Sequence, residues 1–362
     1  MSKIAAKQKE DTVLSPLNYP NSSDLKSFLR FEKIPTTIYK DSNVAAIAVA
    51  KEVASLIKIK ELRKEPCLIG FASGSTMVVF YEELVRMHKE EGLSFKHVLS
   101  FNIDEFYPMD PESIQSHSKF MYEHFFDHID MDKLNIHIPN GALPIEKVNA
   151  FCTKYEAKIE KNGGLDVIIQ GMSSGGHTGF NEPGSPIDSK TRLVTLDRPT
   201  IISAASDFYG EKNVPKKAIT MGIDTMFKAK RVFMLAWGEG KAPIVKEIVE
   251  GNKTDQVPAS ILQDHDNVTL ILDEASSEDL TRIKTPWIVD IPNWDEAMIK
   301  KGVVWLCQKV KKPILKLTNK DYNDHHMNDL ITELGTAYDI NIKVFNDLQN
   351  TITGWPGGKP NA

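Results

Sequence analysis

The stretch CLIGFASGSTMVVFYEELVRMH (Cys67–His88) sets the reading of the whole chain. CLIGFA (67–72) is a continuous apolar run of strand length. SGST (73–76) breaks it with a glycine among hydroxyl side chains, and VVFYEELVRMH then returns apolar residues at helical spacing. An uninterrupted apolar strand that turns directly into an amphipathic helix belongs to a parallel sheet covered on both faces.

The same alternation extends outward. TTIYK (36–40) predicts a strand, and Asp41 with Ser42 predicts the cap of a helix whose Ala46, Val49, Val53 and Ile57 share one face. Further strands are expected at HVLSFNI (97–103), NIHI (135–138), LDVIIQG (165–171), RLVTL (192–196), AITMGI (218–223), RVFMLAW (231–237) and NVTLILD (267–273), with a helix around 145–161. The expected fold class is α/β, a mostly parallel sheet covered by helices on both faces, over residues 36–282. Residues 1–35 are polar and punctuated by Pro and Ser, and read as an N-terminal arm. Beyond 282 the strand pattern stops. WDEAMIKKGVVWLCQKV (294–310) predicts a helix opened by Asn293, with Glu296 at capping-box spacing, and Pro313 bars its continuation. Two more helical patterns follow, near 319–334 and 339–351, so 283–362 is expected to be a C-terminal α-helical appendage.

Bulk properties exclude several classes. A net charge of -5 over 362 residues gives no broad cationic face, which argues against nucleic acid as a partner. It leaves room for a small anionic substrate, which needs only a few local donors. Cys67, Cys152 and Cys307 are far apart and show no CxxC spacing, so neither a disulfide framework nor a thiolate zinc site is indicated. That usage fits a reducing compartment. The opening MSKIAAKQKEDTVLSP has no apolar signal segment, and no run approaches the roughly 18 apolar residues of a membrane span. The expectation is a cytoplasmic protein without a membrane partner.

In open parallel sheets the ligand crevice lies at the carboxyl ends of the strands, and four unusual segments are expected there. Ser73-Gly74-Ser75-Thr76 offers a tight turn, hydroxyl donors and a helix N-terminus, a seat for phosphate or simply a capped turn. Asn102-Ile103-Asp104-Glu105-Phe106 is read as a loop whose adjacent carboxylates serve either acid-base chemistry or capping. Gly171-Met172-Ser173-Ser174-Gly175-Gly176-His177-Thr178-Gly179-Phe180-Asn181-Glu182-Pro183 is the strongest: glycines let the backbone approach a ligand, and His177 is suited to moving protons near neutral pH. Gly238-Glu239-Gly240-Lys241 adds a flexible cation after a strand. His124 with His128, and Asp324-His325-His326, read as solvated surface rather than metal ligands.

Taken in order, these segments resemble the glucosamine-6-phosphate deaminase family across roughly residues 36–280. FASGSTM is similar to its phosphate-loop turn, and FNIDEF to its FNMDEY segment. PESIQSHSKFMYEHFF, GGHTGFNEPGSP, SKTR, VPKKAITMGIDT and GEGKA match further landmarks. The resemblance implies a Rossmann-like fold and an aldose–ketose isomerisation coupled to loss of ammonia. A phosphorylated amino sugar, the substrate of amino-sugar breakdown, would be held through its phosphate by Ser73, Gly74, Ser75, Thr76 and Lys241, with Gly171 beside them. His177 would help open the pyranose, Asp104 would move the proton from C2 to C1, and Glu182 would support the ring-opening group. The chemistry implied needs no metal or organic cofactor.

Two departures stand out. The family usually has Asp two residues before the His, where this chain has Gly175; Ser174 or another carboxylate would have to substitute. The family's phosphate-contacting Arg falls at Ser206 or Asp207, neither of them cationic. The resemblance also implies a homo-oligomer. The appendage looks like the longer bacterial form, in which a deacetylase-like region follows, so the chain is expected to be a fragment of a longer protein. Two rival readings share these motifs: a sugar-phosphate-binding regulatory module without turnover, and a 6-phosphogluconolactonase-like hydrolase.

Overall fold

The computed structural model describes residues 29–353, so most of the expected N-terminal arm lies outside the described residues. Residues 32–279 form one compact unit, and the described residues from Leu280 onward, with 29–31, form a second.

The first unit is built on a seven-stranded, all-parallel sheet. Its strands are β1 (Thr36–Tyr39), β2 (Cys67–Phe71), β3 (Val98–Asn102), β5 (Ile136–His137), β6 (Val167–Gly171), β9 (Val232–Ala236) and β10 (Val268–Asp273). Their spatial order is β1-β10-β9-β6-β2-β3-β5. Every residue of β2 and of β9 is buried. Successive strand residues face opposite sides, so both faces of the sheet are covered. Gly70 is required at the centre: a Cβ there would stand 2.8 Å from Cγ1 of Ile168 on β6. The helix Ser42–Leu62 begins as expected, with the Asp41 carboxylate accepting the Val44 N–H and Ala46, Val49, Val53 and Ile57 buried. The helix Val78–Glu91 packs Phe80 and Tyr81 against Phe71, and the Tyr81 hydroxyl donates to the Ala72 carbonyl.

The chain leaves β2 for β3 and β5 on one side, then returns to β6 on the other. That reversal opens a crevice at the carboxyl ends of β2 and β6, where ligands bind in open α/β sheets.

Three segments differ from the sequence expectation. Asp104–Tyr107 is a strand, β4, and not a loop; it pairs antiparallel with β8 (Lys217–Thr220), which pairs in turn with β7 (Arg192–Thr195). RLVTL and AITMGI therefore belong to a separate small sheet. Their hydrogen-bonding partners lie far away in sequence, which a local pattern does not encode. In the second unit the helix Glu296–Val310 is capped by Asp295, whose carboxylate accepts the Met298 N–H, and not by Asn293. Asp295 immediately precedes the helix, so its short side chain reaches the free amide. The pattern near 319–334 is two helices, Asn319–Asn323 and Asn328–Leu334, followed by Ala337–Thr353. Trp287, Trp294, Val303, Leu306, Tyr322 and Leu330 are central to the core of this unit.

Candidate functional site

At the end of β2 the backbone turns at Gly74, whose φ of 106° lies in the region that favours glycine. A short turn, Ser75–Met77, then feeds the helix Val78–Glu91, so the positive end of that helix is directed at the crevice. Ser73 and Thr76 line a cavity of about 200 Å³; Gly74 and Ser75 do not. Gly171, at the end of β6, forms the adjoining wall, and a Cβ there would stand 3.4 Å from the Thr76 side chain.

The loop after β6 is held from beneath. Thr178 Oγ1 donates to Gln170 Oε1 (2.5 Å), and the Asn181 amide donates to the carbonyls of Thr178 and Met221 (2.8 Å each). This presents His177 to the cavity. Its backbone N–H donates to Ser173 Oγ at 2.9 Å. Its Nδ1 lies 3.0 Å from Glu182 Oε2 and 3.4 Å from Thr200 Oγ1. Glu182 Oε1 accepts the Asp197 N–H. Burial works to raise the pKa of Glu182, but interactions with His177, Thr200 and the Asp197 N–H hold it below the ordinary carboxylate value. The imidazole is thus oriented through Nδ1, and Nε2 carries no hydrogen bond to the described residues.

On β4 the two adjacent carboxylates take opposite sides, as alternation along a strand requires. Asp104 lines the cavity. Glu105 instead caps the helix His117–His124, with Oε1 accepting the N–H groups of Phe106 and His117, and Oε2 that of Ser118. Burial raises the Glu105 pKa, and those donors with His117 counter it. Of this pair Glu105 takes the capping reading, and Asp104 is the carboxylate left on the cavity wall. Gly179, at a φ of 57°, lets the His177 loop pass close to Asp104; a Cβ there would lie 2.8 Å from Thr220 Oγ1 and 3.3 Å from Asp104 Oδ2.

Lys241 follows β9 in the turn Glu239–Lys241, with Nζ donating to Ser174 Oγ at 3.1 Å. Burial lowers its pKa. The cavity lining thus brings together Ser73, Thr76, Asp104, Gly171 and His177. Glu182 stands behind His177, and Lys241 reaches the loop through Ser174. Ser206 and Asp207 are exposed and bonded to one another. Six lining residues were not among the expected site residues: Ala72, Ile103, His117, Met172, Ser173 and Gly179. His117 is the consequential one, because its Nδ1 lies 2.8 Å from Asp104 Oδ1. Only its place in the stretch after FNIDEF hinted at it. Among the described residues, no group of three or more His, Cys, Asp or Glu side chains is placed to hold a metal ion.

A carboxylate on one wall, an oriented imidazole on another and a helix N-terminus beneath them can move protons on a small anionic molecule. Comparison with known proteins gives the family of the chain. Residues 40–271 match the family model of glucosamine-6-phosphate isomerases/6-phosphogluconolactonase. The chain is 46% identical over 351 residues to a glucosamine-6-phosphate deaminase-like protein of Bacteroides thetaiotaomicron, covering 96% of this chain and 53% of that protein. It therefore spans about half the length of that relative. A glucosamine-6-phosphate deaminase of Thermoanaerobacter is 42% identical over 242 residues, 65% of this chain and 94% of that one. Among solved structures, a monomeric glucosamine-6-phosphate deaminase superposes with a TM-score of 0.65 at 33% identity, over 68% of this chain and all of the other. The 6-phosphogluconolactonase of Thermotoga maritima shares the fold, with a TM-score of 0.53 at 22% identity over 66% of this chain and 99% of the other. The chain belongs to the family of glucosamine-6-phosphate isomerases and 6-phosphogluconolactonases.

Proposed function

We propose that this chain is a glucosamine-6-phosphate deaminase, converting glucosamine 6-phosphate and water into fructose 6-phosphate and ammonia. The observation that carries this reading is the placement of Asp104 and His177 on the wall of one cavity that Ser73 and Thr76 also line.

In this mechanism the phosphate rests on the Ser73–Thr76 turn, where the helix N-terminus favours an anion and Lys241 adds a point charge. His177, oriented by Glu182, returns a proton to the ring oxygen as the C1 hydroxyl loses its own, which opens the pyranose. Asp104 then removes the proton at C2. The electron pair forms the C1–C2 double bond, the C2 ammonium passes a proton to O1 to give the enolamine, and the same carboxylate delivers its proton to C1. The imine left at C2 adds water and expels ammonia. Proton transfers by positioned side chains supply about 10²–10⁴-fold each, which makes Asp104 the residue whose loss is most damaging.

The test is production of ammonia and fructose 6-phosphate from glucosamine 6-phosphate by wild type and Asp104→Asn. Turnover in wild type that Asp104→Asn abolishes supports the reading. Acid release from 6-phosphogluconolactone without ammonia would replace it with the lactonase reading.

Gly175 favours a second reading, a sugar-phosphate-binding regulatory module. A glycine contributes no carboxylate to the His177 loop. Calorimetric binding of glucosamine 6-phosphate with no ammonia formed would favour that reading over the enzyme.

A further inference from the structure

His117 opens the helix His117–His124, and the start of that helix is fixed twice. Ser116 Oγ accepts the Lys119 N–H, and the Glu105 carboxylate accepts the N–H groups of His117 and Ser118. The imidazole lies parallel to the Phe180 ring (centroids 5.8 Å apart, planes at 9°) and meets the Phe106 ring edge-on at 5.2 Å. From this seat Nδ1 stands 2.8 Å from Asp104 Oδ1 and 3.1 Å from the Asp104 carbonyl oxygen. A ring nitrogen facing two oxygens carries the proton and donates. Oδ2 of the same carboxylate lies toward Gly179, where a Cβ would come within 3.3 Å of it. The two oxygens of Asp104 therefore have different surroundings, one bonded to an imidazole and one left beside a glycine.

The charged groups acting on His117 are Asp104 and Glu105, both on β4, while Phe180 brings only an aromatic face. Burial works against the imidazolium, but those two carboxylates and the hydrogen bonds to Asp104 hold its pKa up to about 9.

We propose that His117 is the charged positioning partner of Asp104: its imidazolium fixes Oδ1, so that Oδ2 alone meets the substrate. This rests on the deaminase reading above. When the C2–H bond breaks, the proton goes to Oδ2, the electron pair forms the C1–C2 double bond and the C2 ammonium passes a proton to O1. Oδ2–H then gives its proton to C1 and the nitrogen lone pair closes the C2 iminium. His117 keeps its own proton through both steps. Its charge offsets the negative charge that develops during enolisation.

Two measurements test this. In the first, the full chain with isotope-labelled histidine is titrated by NMR, with the His117 signal assigned by its loss in His117→Asn. It is expected to titrate near 9 in wild type and to fall toward 6.5 in Asp104→Asn. In the second, kcat and KM for ammonia release from glucosamine 6-phosphate are followed against pH. His117→Asn keeps an N–H donor without the charge. It is expected to lower kcat by about 10²-fold, with KM little changed, and to lose the alkaline limb near 9. A wild-type His117 that titrates near 6.5, or a variant with the wild-type pH profile, overturns the proposal. Absence of ammonia from wild type overturns the deaminase reading instead, and the NMR titration then decides the pairing of His117 with Asp104.

Discussion

A Cβ built on Gly175 would stand 2.7 Å from Nε2 of His177, closer than any real Cβ contact. The imidazole occupies the space that a side chain at 175 would need. Glycine at this position therefore does more than omit a group, because it admits the orientation in which Nδ1 reaches Glu182.

Gly175→Ala is expected to push the His177 ring away from Glu182 and to lower turnover by about 10²-fold, with folding stability changed by no more than about 1 kcal/mol. Gly175→Asp forces the same movement but provides a carboxylate to hold the displaced imidazole, so it should retain more activity than the alanine variant. Ammonia release and thermal midpoints of the two variants check this. Wild-type turnover in Gly175→Ala would show that the observed seat of His177 is dispensable.

Glu182 links the site to pH. Its folded pKa lies below its ordinary 4.5, so its contribution to stability is present above that pH and is lost as the pH falls through the lower folded value. Denaturant midpoints of wild type and Glu182→Gln should therefore differ at neutral pH and converge under acid. A gap that stays constant through the whole acid range would contradict the assignment.

Lys241 is bonded only to the Ser174 hydroxyl and carries no carboxylate partner within ion-pair distance among the described residues. Lys241→Ala should raise KM for a phosphorylated sugar about tenfold and leave kcat nearly unchanged, the signature of lost uniform binding. A kcat loss with KM intact would instead place Lys241 in the chemical steps.

Asp166 lies at the opposite, amino-terminal end of the strands. Its buried carboxylate accepts the Leu68 N–H at 2.9 Å and pairs with Lys60 at 2.9 Å and Lys230 at 2.8 Å. Asp166→Ala leaves the buried Leu68 N–H without its acceptor, while Lys60 keeps Glu65 and Lys230 is solvated, and should destabilise the first unit by about 1–3 kcal/mol. Activity per folded molecule should remain at the wild-type level, which separates a structural role from a catalytic one.

Much of this molecule was legible in the sequence because it depends on short-range patterns. Apolar runs of strand length, helical spacing after each turn and the Asp41 cap are local properties, and they fixed the α/β class and the strand ends where ligands bind. The Gly-rich loop drew attention to His177 and Glu182, five residues apart, because glycines let a backbone approach a ligand closely. Other features depended on the three-dimensional fold. DEFY (104–107) became a strand only because Lys217–Thr220 supplies its hydrogen bonds from more than a hundred residues away. That pairing turned Asp104 toward the cavity and Glu105 toward a helix end, a division that the adjacent letters did not reveal. It also set His117 against Asp104, thirteen residues back along the chain. Sequence by itself determined which chemical groups this protein carries and which elements bear them. The tertiary structure decided which of them touch, because the distance between side chains depends on how strands pair and not on their spacing along the chain.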